Sequence, residues 1–193
     1  WQSPRRKHLM SMTAAGGAVK DLTPGPRDVP PFSIQGGGDY AISPDGAEVC
    51  FVMNPDGDAA TSTNSELYVV PITGGEARQV TNNAAADNGP VYSPDGKYLG
   101  IALENGIVML RELTTNNDQI VVAANPPPKQ HQIQSLSFSP DGKYALSGSC
   151  DGTVRLWDIS GGSEIKQFNR YECAPGTDPK YRAYSLAYSP DGN

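Results

Sequence analysis

The sequence predicts an all-β fold assembled from repeated four-stranded sheets, and three observations carry that prediction. The tetrapeptide Ser-Pro-Asp-Gly occurs four times in 193 residues, at Ser43–Gly46, Ser93–Gly96, Ser139–Gly142 and Ser189–Gly192, spaced by 50, 46 and 50 residues. Each copy follows a short apolar stretch, and the first three also precede one. Helical periodicity and capped amphipathic faces are absent, while the 21 Gly and 17 Pro are spaced as turns rather than gathered in blocks.

The turn chemistry explains the tetrapeptide. Proline presets φ at the first turn position, aspartate bonds nearby backbone, and glycine takes the position with φ > 0. Asp45, Gly46, Asp95, Gly96, Asp141, Gly142, Asp191 and Gly192 are accordingly assigned structural roles in hairpin turns.

Strands follow from the turns. In the first unit, Tyr40–Ile42 and Glu48–Met53 flank the tetrapeptide, and Glu66–Pro71 and Ala77–Thr81 flank Thr73-Gly74-Gly75. The second unit gives Pro90–Tyr92, Tyr98–Leu103, Ile107–Leu113 and Gln119–Ala123, with a last turn at Thr115–Asn117. The third gives Ile133–Phe138, Tyr144–Ser149, Thr153–Ile159 and Glu164–Phe168. Four short strands per 40–50 residues is the pattern of a β-propeller blade.

The two ends supply pieces of one more blade. Lys7–Thr13 and Val19–Thr23 read as third and fourth strands around Ala15-Gly16-Gly17, and Met12–Leu22 aligns with Val70–Val80 position by position. Tyr184–Tyr188 reads as an inner strand, and the second strand of this split blade is missing or reduced. The chain is therefore read as one propeller unit, 1–193, with blades at 39–83, 88–124 and 133–169, outer strands of the split blade in 1–24 and its inner strand in 184–193. Two closures are open: a four-bladed monomer, or a homodimer forming an eight-bladed ring by split-blade completion. Either closure would cover the apolar faces that an open arc leaves exposed, and the homodimer is the favoured one.

Composition narrows the function classes. A net charge of −6 disfavours a general nucleic-acid binder, and Arg5-Arg6-Lys7 reads as a solvated terminus. Cys50, Cys150 and Cys173 have no metal-ligand spacing, and Cys50 reads as a small core residue. No segment is apolar enough for a membrane-spanning helix and no signal peptide is evident; compartment is undetermined and a soluble protein is expected. The start at Trp1 reads as a processed product, an excised domain or an engineered piece.

The sequence offers no catalytic constellation, so no enzyme activity, cofactor or metal is expected. Gly148-Ser149-Cys150-Asp151-Gly152 has its glycines out of register for a nucleophile elbow, and neither His8 nor His131 has a motif around it. Asn54–Asp58 lacks the glycine and glutamate of a calcium loop and reads as a plain loop. Gly36–Gly38 reads as a sharp turn and Pro126–Pro128 as a stiff connector. Tyr40, Tyr92, Phe138 and Tyr188 near the inner-strand ends are assigned to packing between blades.

Two resemblances divide the chain. Ser135–Ile159 resembles a WD40 repeat, with Trp157-Asp158 as its Trp-Asp dipeptide. The resemblance implies a hydrogen-bond network joining Trp157, Asp151 and an upstream histidine, for which His131 is the candidate although it lies nearer the turn than the family pattern places it. Asp28–Phe32, Asp39–Asn54, Asp87–Leu99 and above all Ser65–Thr81 resemble propeller domains of dipeptidyl- and acylaminoacyl-peptidases of the prolyl oligopeptidase family, and TolB-like repeats. The seam falls near Leu99–Leu103, which reads as a recombined or designed chimera, or else as a natural fragment whose blades have drifted. The expected function is a non-catalytic scaffold or a protein- or peptide-binding module. The alternative is the substrate-gating propeller of a serine peptidase without its hydrolase domain.

Overall fold

The computed structural model describes residues 6–29, 40–56, 64–82, 87–103, 106–113, 117–121, 132–150, 152–168, 183 and 185–192. Fourteen strands are assigned in this part of the chain, and they form antiparallel sheets. The chain divides into two compact units, Trp1–Pro90 and Val91–Asn193. Gly36–Gly38, Pro126–Pro128, Cys173 and Tyr184 lie outside the described residues.

In the first unit, β3 (Tyr40–Ile42), β4 (Glu48–Met53), β5 (Glu66–Pro71) and β6 (Arg78–Gln79) form a sheet in chain order. Each strand meets the next through a tight turn, so neighbours in sequence are neighbours in the sheet. The central strands alternate without a polar face: Val49 and Phe51 point one way, Cys50 and Val52 the other, and all four are buried. Burial drives the Cys50 thiol pKa far upward, so it packs as a small apolar group.

Ahead of this sheet, β1 (Met10–Ser11) and β2 (Lys20–Asp21) form a hairpin that covers part of one face. Leu22 and Val29 are buried in one cluster with Val49, Phe51, Tyr68 and Val70. The hairpin is a structural copy of β5–β6, shifted by 58 residues in chain position. Met10↔Asp21 and Ser11↔Lys20 repeat Tyr68↔Gln79 and Val69↔Arg78. The Leu9 amide donates to Thr23 Oγ1 at 2.9 Å as the Leu67 amide does to Thr81 Oγ1 at 2.8 Å. Even the lead-out repeats, because the Val29 amide bonds Lys7 O at 2.8 Å and the Asp87 amide bonds Ser65 O at 3.0 Å.

The second unit contains β8 (Tyr98–Leu103), β9 (Val108–Glu112) and β10 (Asn117–Val121), in a sheet whose inner strand is β7 (Asp87–Tyr92). Its other sheet runs in chain order through β11 (Ile133–Phe138), β12 (Tyr144–Ser149), β13 (Val154–Asp158) and β14 (Ser163–Phe168). β7 begins ahead of the predicted Pro90, which the ladder tolerates because β7 is an edge strand. β10 begins at Asn117, a position predicted as turn; the Asn117↔Glu112 pairing pulls it into the ladder.

The two sheets pack face to face. Ala102, Val108 and Leu110 meet Ile133, Leu136, Phe138, Ala145, Trp157 and Ile159 in one buried cluster. Gly100 sets the distance of approach, since a Cβ there would lie 2.4 Å from Leu136 Cδ2 and 3.1 Å from Phe138 Cε2. On the far face of the β11–β14 sheet, Ala183 closes on Gly148, where an added Cβ would come 2.8 Å from its Cβ and carbonyl oxygen. Its amide reaches Ser149 O at 3.3 Å, and Ser135 Oγ donates to its carbonyl at 3.3 Å. Residues 185–188, read from sequence as most of an inner strand, are not hydrogen-bonded into a sheet among the described residues.

Gly100→Ala should destabilise the second unit by about 1–3 kcal/mol through overpacking, measured as a lowered urea midpoint with an unchanged slope. Gly46→Ala, with φ of 68° and open space around the new methyl, should act through backbone strain alone.

Candidate functional site

The repeated tetrapeptide is the most regular polar constellation in the described structure. In the first copy Ser43 Oγ donates to Asp45 Oδ1 at 2.6 Å and accepts from the Glu48 amide at 3.0 Å. Asp45 Oδ1 also accepts from the Ala47 amide at 3.0 Å, and the Gly46 amide bonds Ser43 O at 2.8 Å. Ser93 and Asp95 repeat this at 2.7 Å, Ser139 and Asp141 at 2.6 Å, and Ser189 and Asp191 at 2.5 Å. Gly96, Gly142 and Gly192 all have positive φ, at 71°, 69° and 78°. The sequence reading credited Pro, Asp and Gly and missed the serine. Its presence in all four copies was the available signal.

Three of these turns hold their aspartates below the ordinary carboxylate range. For Asp45, Asp95 and Asp141 the first cause is the hydrogen bond from the turn serine, supported by the backbone amide two residues on. Lys97 Nζ at 3.3 Å from Asp95 and Lys143 Nζ at 3.6 Å from Asp141 are exposed partners and count for little.

Trp157 is the other polar anchor. It is 1% exposed, and its Nε1 donates to Ser147 Oγ at 2.8 Å, across the β12–β13 ladder. A buried indole N–H needs such an acceptor. Asp151 and His131, the expected partners of Trp157, lie outside the described residues. Ser147 was not singled out from the sequence, because one serine in an alternating strand carries no signal of its own. Beside it Arg155, 4% exposed, ion-pairs with Glu164 at 3.4 Å and donates to Thr153 Oγ1 at 2.8 Å.

Of the inner-strand aromatics assigned to packing, Tyr92 and Phe138 are buried and Tyr188 is half-buried. Tyr40 is exposed, because the part of the sheet face it occupies is not covered by the hairpin.

Residues 127–158 match the family model described as WD domain, G-beta repeat. This segment is similar to a WD40 repeat. The chain is also 31% identical over 153 residues to "Uncharacterized peptidase YuxL" of Bacillus subtilis (strain 168), covering 78% of this chain and 20% of that protein. It is 30% identical over 133 residues to "Dipeptidyl-peptidase 5" of Arthroderma otae, covering 59% of this chain and 18% of that protein. To "Echinoderm microtubule-associated protein-like 3" of Homo sapiens it is 26% identical over 129 residues, covering 64% and 14%. The chain thus spans about a fifth of the first of these relatives, and less of the other two.

A chain in the solved "Crystal Structure of Mitotic Checkpoint Complex" superposes with a TM-score of 0.58 at 17% identity, covering 79% of this chain and 40% of that one. This likeness concerns the fold alone, and the fold is an all-β propeller type. Among the described residues no helix is long and apolar enough to cross a membrane, and no group of three or more His, Cys, Asp or Glu could hold a metal ion.

Two outcomes are expected from the polar anchors. Ser147→Ala strands the buried Trp157 N–H and should cost about 1–3 kcal/mol in urea unfolding followed by tryptophan fluorescence. Asp45, Asp95 and Asp141 are more acidic folded than unfolded, so their contribution is complete above the unfolded value of about pH 4 and is lost as pH falls through the folded values. Unfolding midpoints should therefore drop on the acid side, and Asp141→Asn, which cannot titrate, should flatten that drop.

Proposed function

We propose that this chain is a non-catalytic propeller scaffold that binds protein or peptide partners. The observation that carries this reading is the occupation of its repeated chemistry: the serine and aspartate of every tetrapeptide are bonded to each other. What remains for recognition is surface, and the WD40 match at 127–158 supports a binding role. Likeness to both WD-repeat and peptidase-named proteins within one chain supports a recombined or designed origin.

Assembly belongs to the same proposal. The hairpin in 7–29 repeats third and fourth strands, while 185–192 carries an inner-strand sequence and its turn. A second copy would join these complementary pieces. Light scattering should return twice 20.5 kDa, and a mass at the single value would remove the homodimer.

The second reading, a substrate-gating propeller of a serine peptidase, is favoured by the 78% coverage of this chain in the match to the peptidase-named Bacillus protein. On both readings the chain alone has no turnover. Against a panel of ester and aminoacyl-peptide substrates the scaffold reading expects neither hydrolysis nor labelling by a serine-directed fluorophosphonate; turnover abolished by that label would overturn it.

A further inference from the structure

Each tetrapeptide ends in an Asp-Gly bond, the aspartyl linkage most prone to a spontaneous backbone rearrangement. The glycine nitrogen attacks the aspartate Cγ, the N–Cγ bond forms, and the amide proton leaves with the carboxyl hydroxyl as water. The five-membered succinimide so formed then takes up one water. Opening at Cγ restores aspartate, whereas opening at the main-chain carbonyl gives isoaspartate, with the backbone rerouted through the side chain. The water lost equals the water gained, and no other reagent is needed. Glycine favours the attack because it has no Cβ to shield its nitrogen. Packing does not shield it either, since nothing lies within 4 Å of the place a Cβ would take at Gly46 or Gly142. Asp45, Asp95 and Asp141 are exposed, so water reaches them.

The turn opposes both halves of this reaction. The attack needs a free glycine N–H, and Gly46, Gly96 and Gly142 donate theirs to Ser43 O, Ser93 O and Ser139 O at 2.8, 2.9 and 2.9 Å. It also needs a neutral carboxyl, because an acid loses hydroxide far more readily than a carboxylate loses oxide. Here Oδ1 of each aspartate accepts from the serine hydroxyl at 2.6–2.7 Å and from the amide two residues on at 3.0–3.1 Å. Both donors favour the ionised form. The serines are themselves fixed: all three are buried, and their Oγ atoms accept from the Glu48, Tyr98 and Tyr144 amides at 3.0, 2.9 and 3.0 Å.

We propose that the turn serine guards the Asp-Gly bond, keeping each folded hairpin from converting to isoaspartate. What it protects is the register of the two strands. The Ser43, Ser93 and Ser139 amides bond Glu48 O, Tyr98 O and Tyr144 O at 3.0, 2.9 and 2.8 Å, closing each turn. Isoaspartate adds a methylene to the backbone inside that closed loop and breaks its fit to the strands, whose register the turn length fixes. The guard goes beyond the scaffold reading and does not depend on it.

The test holds the full chain in warm, neutral water enriched in heavy oxygen, because every succinimide that hydrolyses incorporates one label. Peptide mapping by mass spectrometry then reads the rate at each Asp-Gly bond separately. The native chain should label at Asp141 far more slowly than the same chain in urea. Ser139→Ala should raise the native rate at Asp141 at least about tenfold, the factor that one hydrogen bond to a charged group carries, and leave Asp45 and Asp95 unchanged. Ser139→Thr, which keeps a hydroxyl, should restore the slow rate. Circular dichroism and the urea midpoint show whether each variant is folded, and Ser43→Ala, read at Asp45, repeats the test in the first unit. Equal rates in the native and unfolded chains, or an unchanged rate at Asp141 in folded Ser139→Ala, would overturn the guard. So would an equal rise at Asp45 and Asp95, which would assign the effect to general unfolding.

Discussion

A sheet that is apolar on both faces is stable only when both faces are covered, and this constraint governs the whole molecule. β4 shows it most plainly, with Val49, Cys50, Phe51 and Val52 each at most 4% exposed. An amphipathic sheet could turn a polar face to water; this one cannot. Burying one such side chain is worth about 1.5–3 kcal/mol, so an uncovered face forfeits the stabilisation of several residues at once. Repeat architecture answers the constraint by setting one sheet against the next, with stability carried by the interfaces as much as by the sheets. Between β8 and β11 the interface is close enough to require a glycine.

The same constraint explains why the N-terminal hairpin folds where it does. Two strands alone are marginal in water. This hairpin is held because Leu22 and Val29 join a core made by the following sheet, and because Thr23, Asp21 and His8 close its backbone locally. His8 Nδ1 lies 2.6 Å from Asp21, and its Nε2 lies 3.2 Å from Gly25 O. The equivalence with β5–β6 is far clearer in the hydrogen bonds than in the residues, since Met10 stands for Tyr68 and Lys20 for Arg78. Geometry persists because the bonds are backbone bonds, apart from one threonine hydroxyl present at the same place in both hairpins, and the sheet face asks only for bulk.

How far the sequence could be read follows from this. The tetrapeptides placed the hairpins, because a turn's φ requirements are local and only a few residues satisfy them. The inner two strands of each sheet were legible from the apolar runs around those turns. Outer strands were less so: β6 is two residues long and β10 starts at a position that looks like turn, because outer strands pair on one side only, and the side chains of β6 and β14 are exposed. Residues 185–188 have the composition of an inner strand, yet a strand is a pairing, and pairing is not a property of one segment. Ser147 was invisible for a similar reason. Its role is defined by Trp157, ten residues away, across a ladder whose register the sequence does not display.

Unequal burial at equivalent positions is, for a repeat protein, a measurement of what each sheet faces. Tyr92 and Phe138 hold the same place after 46 residues and are buried alike, at 8% and 7%. Ile42 holds it too and is 55% exposed. The side chain is therefore not at fault: isoleucine is as suited to a core as phenylalanine. An exposed residue of that kind in an irregular protein would need no explanation, since scattered apolar residues are normal on surfaces. Here the repeat supplies the reference state, and against it the exposure of Ile42 marks a difference in what the two sheets face among the described residues.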